Sequence, residues 1–306
     1  MTENRRETAQ ARALISLEGL SCGDAFGENF SVDFADSVGS PSEIRTLPSS
    51  PWRFTDDTLM ACSVLSVLAR RGEIDQNLLA NGFAENYDSG RGYGAGMHRL
   101  LNRMRRGEPW REAAGDLFDG QGSFGNGSAM RVAPLGAYFA DDLDRVAEQA
   151  ELSSVVTHTH PEAVAGAIAV AVSAALAWNC RRLSSAPAPN EFLCSVLSFV
   201  PKSKVRAGIA SASCMSPNSS VLEAVGLLGN GAEISASDTV PFALWCAAKH
   251  LRNYEEALLS TARGGGDVDT NCAIVGGIVV MTTGTNGIPN HWLSSREQLP
   301  VALVGR

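Results

Sequence analysis

FTDDTLMACSVLSVLARRG, residues 54–72, begins with carboxylates and hydroxyls and then turns apolar at helical spacing. Thr55 or Asp56 can cap a helix, because a side-chain oxygen there takes an otherwise unpaired first-turn N–H. Leu59, Met60, Ala61, Val64, Leu65 and Leu68 continue as an apolar stripe that stops near Arg70-Arg71-Gly72, a basic, glycine-ended helix terminus. About 210 residues further on, Asp267-Val268-Asp269-Thr270 repeats the device, with an apolar helix expected from Thr270 to Met281. If 267–269 is extended, its two carboxylates point the same way.

The same spacing extends outward through the rest of the chain. ARALISLEGL at 11–20 reads as a helix running into Cys22-Gly23-Asp24-Ala25-Phe26-Gly27, whose glycines permit close backbone approach. Residues 31–53 are a Pro/Ser/Gly-rich connection, and helices are expected at 75–87, 95–106 and 109–118. After the glycine-rich break at 120–127 the pattern resumes at 128–139, 142–157 and 161–179, with Pro161 suited to a first turn. Ser184 to Pro189 is a loop, followed by helices near 190–199, 203–213, 219–228 and 238–262. Gly287-Ile288-Pro289 and Trp292 form a closing turn and an apolar plug, and 296–306 is loosely held. Period-three-to-four apolarity dominates and β-branched alternation is scarce, so the fold is expected to be all-α. No internal repeat or boundary interrupts 1–306, which reads as one domain with a frayed start at 1–9.

Composition narrows the function. The 306 residues are 44% apolar and 19% charged, enough to bury a sizeable core. A net charge of −8 with both signs interspersed argues against a broad nucleic-acid surface. The apolar runs 164–178 and 272–281 are shorter than an uninterrupted membrane span, and MTENRRETAQ lacks the apolar centre of a signal peptide. A cytoplasmic monomer is the expectation. Cysteines 22, 62, 180, 194, 214, 246 and 272 form no CxxC and read as buried small residues.

Several constellations can carry chemistry. Each acidic cluster alone reads as a helix N-cap; two of them, each before a very apolar helix, favour oxygen ligands for hard cations. Gly125-Asn126-Gly127-Ser128 followed by Arg131 can present backbone N–H groups and a guanidinium to an anion. Gly264-Gly265-Gly266 offers similar backbone access. In Thr157-His158-Thr159-His160-Pro161-Glu162, His158 can lie over a ribose or base while His160 and Glu162 fix the turn. Gly90-Arg91-Gly92-Tyr93-Gly94 is an aromatic loop that can lie along a ligand. There is no GxSxG elbow and no P-loop, and Gly23 to Gly27 lacks the strand of a dinucleotide-binding fold.

The ordered set GDAFGE at 23–28, FTDDT at 54–58, GNGSAMR at 125–131, THTHPEA at 157–163 and GGDVDTNCAIVGGI at 265–278 resembles the ADP-ribosylglycohydrolase family over about residues 10 to 292. The resemblance implies a compact all-α fold with a cleft holding two Mg²⁺ ions, or Mn²⁺ in their place. Thr55, Asp56 and Asp57 match the first ligand triplet, and Asp267, Asp269 and Thr270 the second. Asn126, Gly127 and Ser128 match the loop holding the diphosphate and distal ribose, and His158 a position against the ligand. Asp24 matches a buried acid beside the metals. Many relatives carry a glutamate seven residues after that aspartate, where this chain has Ser31; Glu28 can substitute only if the turn differs. Asp57, Asp269 and Glu28 are therefore the catalytic candidates.

The implied activity is hydrolysis of the N- or O-glycosidic bond at the distal ribose of ADP-ribose, foremost in ADP-ribosyl-arginine, with an ADP-ribosylated nucleic-acid end among the substrates to test. The rival readings are a metal-dependent phosphohydrolase and a catalytically weak ADP-ribose-binding protein.

Overall fold

The computed structural model describes residues 3–31 and 49–300. Fifteen α-helices account for most of them: α1 (Glu3–Ser31), α2 (Asp56–Arg71), α3 (Gln76–Glu85), α4 (Ala95–Arg105), α5 (Trp110–Gly115), α6 (Ala133–Tyr138), α7 (Leu143–Ser154), α8 (Pro161–Cys180), α9 (Pro189–Leu197), α10 (Lys204–Ser213), α11 (Val221–Leu228), α12 (Ala236–Lys249), α13 (Tyr254–Ala262), α14 (Val268–Thr283) and α15 (Asn290–Ser295). Extended pairing among the described residues is limited to isolated bridges, Trp52 with Arg296 and Gly125 with Ser235. The fold is all-helical and compact, as expected.

At the centre, α1 lies directly on α14. Gly19, Gly23 and Gly27 recur every fourth residue and therefore share one face of α1. A Cβ at Gly19 would stand 2.4 Å from the Gly276 carbonyl oxygen, one at Gly23 2.2 Å from that of Cys272, and one at Gly27 2.6 Å from the Asp269 Cα. The two backbones touch where any larger residue would force them apart. Ser16 Oγ donates to the Gly277 carbonyl (2.8 Å) and Tyr254 Oη to that of Gly19 (2.6 Å), fixing the register.

Around this pair pack α6, α8, α12 and α13. α8 is long and apolar enough to cross a bilayer, and most of its apolar window is buried within the protein. Trp292 closes the core from the far end, stacked on Phe26 at 4.4 Å with Trp52 edge-on.

Several boundaries differ from expectation. α1 runs unbroken through Gly23 and Gly27, because contact with α14 outweighs their weak helix propensity. It also starts at Glu3, inside the stretch read as frayed. The expected 238–262 helix divides at His250–Asn253, where the Asn253 side chain accepts Glu256 N and starts α13 afresh. In 128–139 only Ala133–Tyr138 is α-helical, preceded by a 3₁₀ turn at Asn126–Ser128. Residues 295–297 are bonded to the 52–54 segment rather than loose. Residues 32–48, most of the 31–53 connection, and 301–306 lie outside the described residues. Cys22, Cys62, Cys246 and Cys272 are buried as expected, but Cys194 on α9 and Cys214 just past the end of α10 are exposed.

Gly23→Val should destabilise the protein by about 2–3 kcal/mol through overpacking against the Cys272 carbonyl. Gly82→Ala, where the nearest atom to an added Cβ is 3.9 Å away in Ser63, should stabilise by about 0.5–1 kcal/mol through helix propensity. Urea denaturation of both variants checks the pair, and equal effects would contradict the contact as drawn.

Candidate active site

The α1–α14 contact sets Asp24 of α1 beside the start of α14, and α2 enters against both. Oxygens of Asp24, Asp57 and Asp269 lie within 4.8 Å of one another. Asp24 is 0% and Asp57 1% exposed. Burial on this scale is costly for carboxylates unless they are paired or bonded.

Asp24 is the best-bonded member. It accepts from Thr55 N (3.0 Å), Thr55 Oγ1 (2.9 Å), Thr58 N (3.0 Å) and Thr58 Oγ1 (2.5 Å). Its lone pairs thus hold the first turn of α2 in place. Thr55 is the N-cap of α2, its oxygen accepting Asp57 N, while the same hydroxyl lies 3.0 Å from Asp57 Oδ2. With one proton to share, Thr55 can serve only one of the two carboxylates fully. Asp57 Oδ1 is buried without any hydrogen-bond partner.

The second acidic cluster is placed differently from the extended arrangement. Helix α14 starts at Val268, so Asp267 is its N-cap residue and Asp269 sits in its first turn. The left-handed Gly265 and Gly266 (φ 62° and 74°) turn the chain sharply enough for this. A Cβ at Gly266 would meet the Asn230 carbonyl oxygen at 2.3 Å, and that carbonyl receives Asp267 N (3.2 Å) and Asn271 Nδ2 (2.6 Å). Gly266 itself remains exposed. Thr270 is buried and its side chain hydrogen-bonds Asp267.

Burial and mutual repulsion set the protonation. Asp24 is pushed up to about 7, first by burial, with Asp269 adding repulsion and the bonds from Thr58 and Thr55 pulling back. Burial also holds Asp56, Asp57 and Asp267 well above the ordinary carboxylate range, again with Asp269 contributing. Glu28 is raised by partial burial and by the charge of Asp269. Positions 28 and 31 lie three apart on one continuous helix and so share a face. Glu28 thus stands on that face without an altered turn, where the charge of Asp269 acts on it.

The glycine-rich turn adjoins the cluster. Asn126 Nδ2 donates to Asp267 Oδ2 (2.6 Å) and to Thr239 Oγ1 (2.9 Å). Ser128 Oγ donates to the Ala163 carbonyl. His158 lies against the inner side of this turn, where a Cβ on Gly127 would be 2.8 Å from its ring and one on Gly125 3.4 Å away. Burial, aided by Arg131, lowers His158 to about 3, so the ring is neutral.

Two side chains differ from their expected parts. Arg131 is 0% exposed and points inward. Its guanidinium donates to the carbonyls of Gly127 and Ser153 and to Thr157 Oγ1, and lies 4.5 Å over the Phe83 ring. It braces the turn from within instead of reaching a diphosphate. Tyr93 is buried against Tyr87 (ring centroids 5.0 Å apart), so the 90–94 loop is anchored, not free to fold along a ligand.

The sequence reading missed an aromatic lip. Phe118 and Phe124 are 44% and 41% exposed, with ring centroids 5.5 Å apart, and Phe124 also meets His160 edge-on at 5.7 Å. The available signal was an aromatic residue at either end of a polar glycine stretch with no core stripe to claim it. By contrast, a 690 Å³ hollow lined by Arg12, Asp141 and Arg145 contains none of these carboxylates. Charge, more than cavity size, marks the site.

Hard cations fit this donor set, which is entirely oxygen and includes one buried carboxylate oxygen lacking a partner. An all-helical body that gathers acids from both ends of its chain beside a glycine-rich turn is the architecture of a class of helical hydrolases. The chain belongs to the ADP-ribosylglycohydrolase family, whose model matches residues 5–304, and is a hydrolase of ADP-ribose-like substrates. It is 30% identical over 328 residues to ADP-ribosylhydrolase ARH3 of Mus musculus, covering 92% of this chain and 86% of that protein. It is 27% identical over 307 residues to ADP-ribosylarginine hydrolase Tri1 of Pseudomonas putida (strain GB-1), covering 94% and 74% respectively. A solved ADP-ribosylglycohydrolase-related protein complex superposes with a TM-score of 0.69 at 25% identity, covering 97% of each chain.

The raised carboxylates predict a pH signature. A folded pKa near 7 for Asp24, against about 3.9 unfolded, contributes stability that is present below pH 4 and lost as pH rises through 7. Metal-free protein should therefore lose this contribution as pH rises from about 4 to about 7. Added Mg²⁺ should raise the melting temperature more at pH 8 than at pH 5.5, because binding displaces protons. Differential scanning fluorimetry decides it; an equal or larger gain at pH 5.5 would count against cation binding by these acids.

Proposed function

We propose that this chain hydrolyses the glycosidic bond at the distal ribose of an ADP-ribosylated substrate, with arginine as the leading aglycone and two magnesium ions as cofactors. The observation that carries the reading is the cluster of buried Asp24 and Asp57 with half-buried Asp269, and its unpartnered Asp57 oxygen. Thr55, Asp56, Asp57, Asp267, Asp269 and Thr270 would hold the ions, with Asp24 fixing Thr55 and Thr58 behind them. Bound magnesium would polarise water and the ribose hydroxyls and offset the cluster's negative charge.

The chain's own residues orient the substrate. The Gly125 and Asn126 N–H groups are taken by Ser123 Oγ and the Ile234 carbonyl, so the backbone N–H groups of Gly127 and Ser128 would meet the diphosphate, with Arg131 and His158 keeping the turn rigid. Phe118 and Phe124 offer a stacking surface to the adenine. The bond at the anomeric carbon breaks with oxocarbenium character as water adds. Glu28 takes the proton that this water loses.

Two considerations support arginine. An N-ribosylated guanidinium is already cationic, so it departs as neutral guanidine and then takes up the proton from Glu28. A serine alkoxide would need a proton as it leaves, from a donor this chain lacks at Ser31. The Pseudomonas putida relative carries arginine in its name. A single domain, one chain per active unit and a cytoplasmic setting complete the reading.

The test is a magnesium-dependent panel of arginine-, serine-, acetyl- and nucleic-acid-linked ADP-ribose read by mass spectrometry. Arginine release with serine untouched is expected; the reverse overturns the linkage. Inorganic phosphate as product would point to a phosphohydrolase, and ligand binding without product to a binding protein. Within an active enzyme, Asp57→Asn should lower turnover and metal affinity by at least about 100-fold. Phe124→Ala should weaken ADP-ribose binding about tenfold while leaving kcat within a few-fold. A Phe124→Ala protein that binds ADP-ribose like wild type would remove the stacking role.

A further inference from the structure

Phe54 immediately precedes the Thr55-Asp56-Asp57 ligand arm, and both of its backbone polar groups are taken by side chains from distant parts of the chain. Its N–H donates to Glu297 Oε1 (2.9 Å), and its carbonyl accepts from Arg91 Nη1 (2.8 Å). Arg91 and Glu297 also pair with each other, through Nη1 to Oε1 and Nη2 to Oε2. The Arg91 guanidinium lies 4.5 Å over the Phe54 ring, and the Arg91 carbonyl accepts Asp56 N at 2.7 Å. A Cβ on the neighbouring Gly92 would be 3.5 Å from Asp56 Oδ1. The 91–92 backbone is therefore laid directly on Asp56.

Glu297 reaches this place through a short parallel bridge. Trp52 N donates to the Ser295 carbonyl (2.7 Å) and Glu297 N to the Trp52 carbonyl (2.9 Å). The side chains of Arg91 and Glu297 are 17% and 24% exposed, shielded enough to hold one geometry. Asp88 is the other acid on Arg91, at 3.4 Å and 54% exposed, and it touches neither Phe54 nor Asp56 by hydrogen bond. Of the two acids, only Glu297 bonds both the arginine and the ligand arm.

We infer that Glu297 is a positioning residue for the carboxylate cluster: with Arg91 it fixes Phe54 and so sets where Asp56 stands. The inference rests on the cation-binding reading of the cluster. It goes beyond that reading in assigning a function to the far C-terminal segment, which contains no ligand. Partners that orient ligating carboxylates typically change metal affinity about 10–100-fold when removed.

A staple that merely anchored the C-terminal segment would affect melting and leave metal affinity alone, which gives the test its discrimination. Full-length wild type, Glu297→Gln, Glu297→Asp and Arg91→Lys are titrated with MnCl₂ alone by isothermal calorimetry, and each is melted in metal-free buffer. Glu297→Gln should weaken Mn²⁺ binding about tenfold with little change in metal-free melting, and Glu297→Asp should recover part of the loss. If Glu297→Gln does not fold, Arg91→Lys carries the test, because it keeps the charge but loses the paired geometry; several-fold weaker binding is expected. Mn²⁺ affinity within twofold of wild type in the folded variants overturns the inference, whatever happens to melting. Wild-type protein that takes up no Mn²⁺ overturns the metal reading itself and this inference with it, a result distinct from metal-binding variants that match wild type.

Discussion

Two helix backbones in contact are the constraint on which the rest depends. Where Gly19, Gly23 and Gly27 lie on Gly276, Cys272 and Asp269, α1 and α14 can neither slide nor roll without collision. Asp24 and Asp269 are brought together as a consequence of that contact. Like charges do not assemble of their own accord in a buried place, and packing must hold them against repulsion. The small residues convert apolar core energy into a fixed arrangement of acids.

Asp24, Asp56 and Asp267 are each tied to another part of the chain. Asp24 grips the start of α2 through Thr55 and Thr58, Asn126 reaches Asp267 from the glycine-rich turn, and Arg91 accepts the Asp56 N–H. The turn is in turn braced from inside by Arg131 and His158. The site and the hydrophobic core are thus continuous, with no loose layer between them.

Much of this was legible in sequence. The Thr55 cap, the apolar stripe of α2 and the acid before α14 are local features with local causes. The fold class followed from periodicity, and the family from the order of its motifs. What sequence could not show depends on partners distant along the chain. Gly23 and Gly27 permit a close approach in sequence, but what approaches them is known only from the opposing backbone of α14. Arg131 beside an anion turn looks like an anion ligand, and only its carbonyl partners and Phe83 reveal that it faces the other way. Phe118 and Phe124 flank a glycine stretch outside any core stripe, but only their exposure shows that they form one surface. Glu297 follows a closing turn in a polar stretch, with nothing nearby to suggest that it holds Phe54.

The span between the clustered acids also bears on synthesis. Asp57 emerges from a ribosome about 210 residues before Asp269, and Asp24 earlier still, an interval of at least about 10–40 s at ordinary elongation rates. During it the first two have no third acid to join. On the proposed reading, a cation that needs all three would be captured only by a nearly finished chain, which would make loading a late event in assembly. Fragments cut anywhere between α2 and α14 would carry half a site each, and neither half alone could form it.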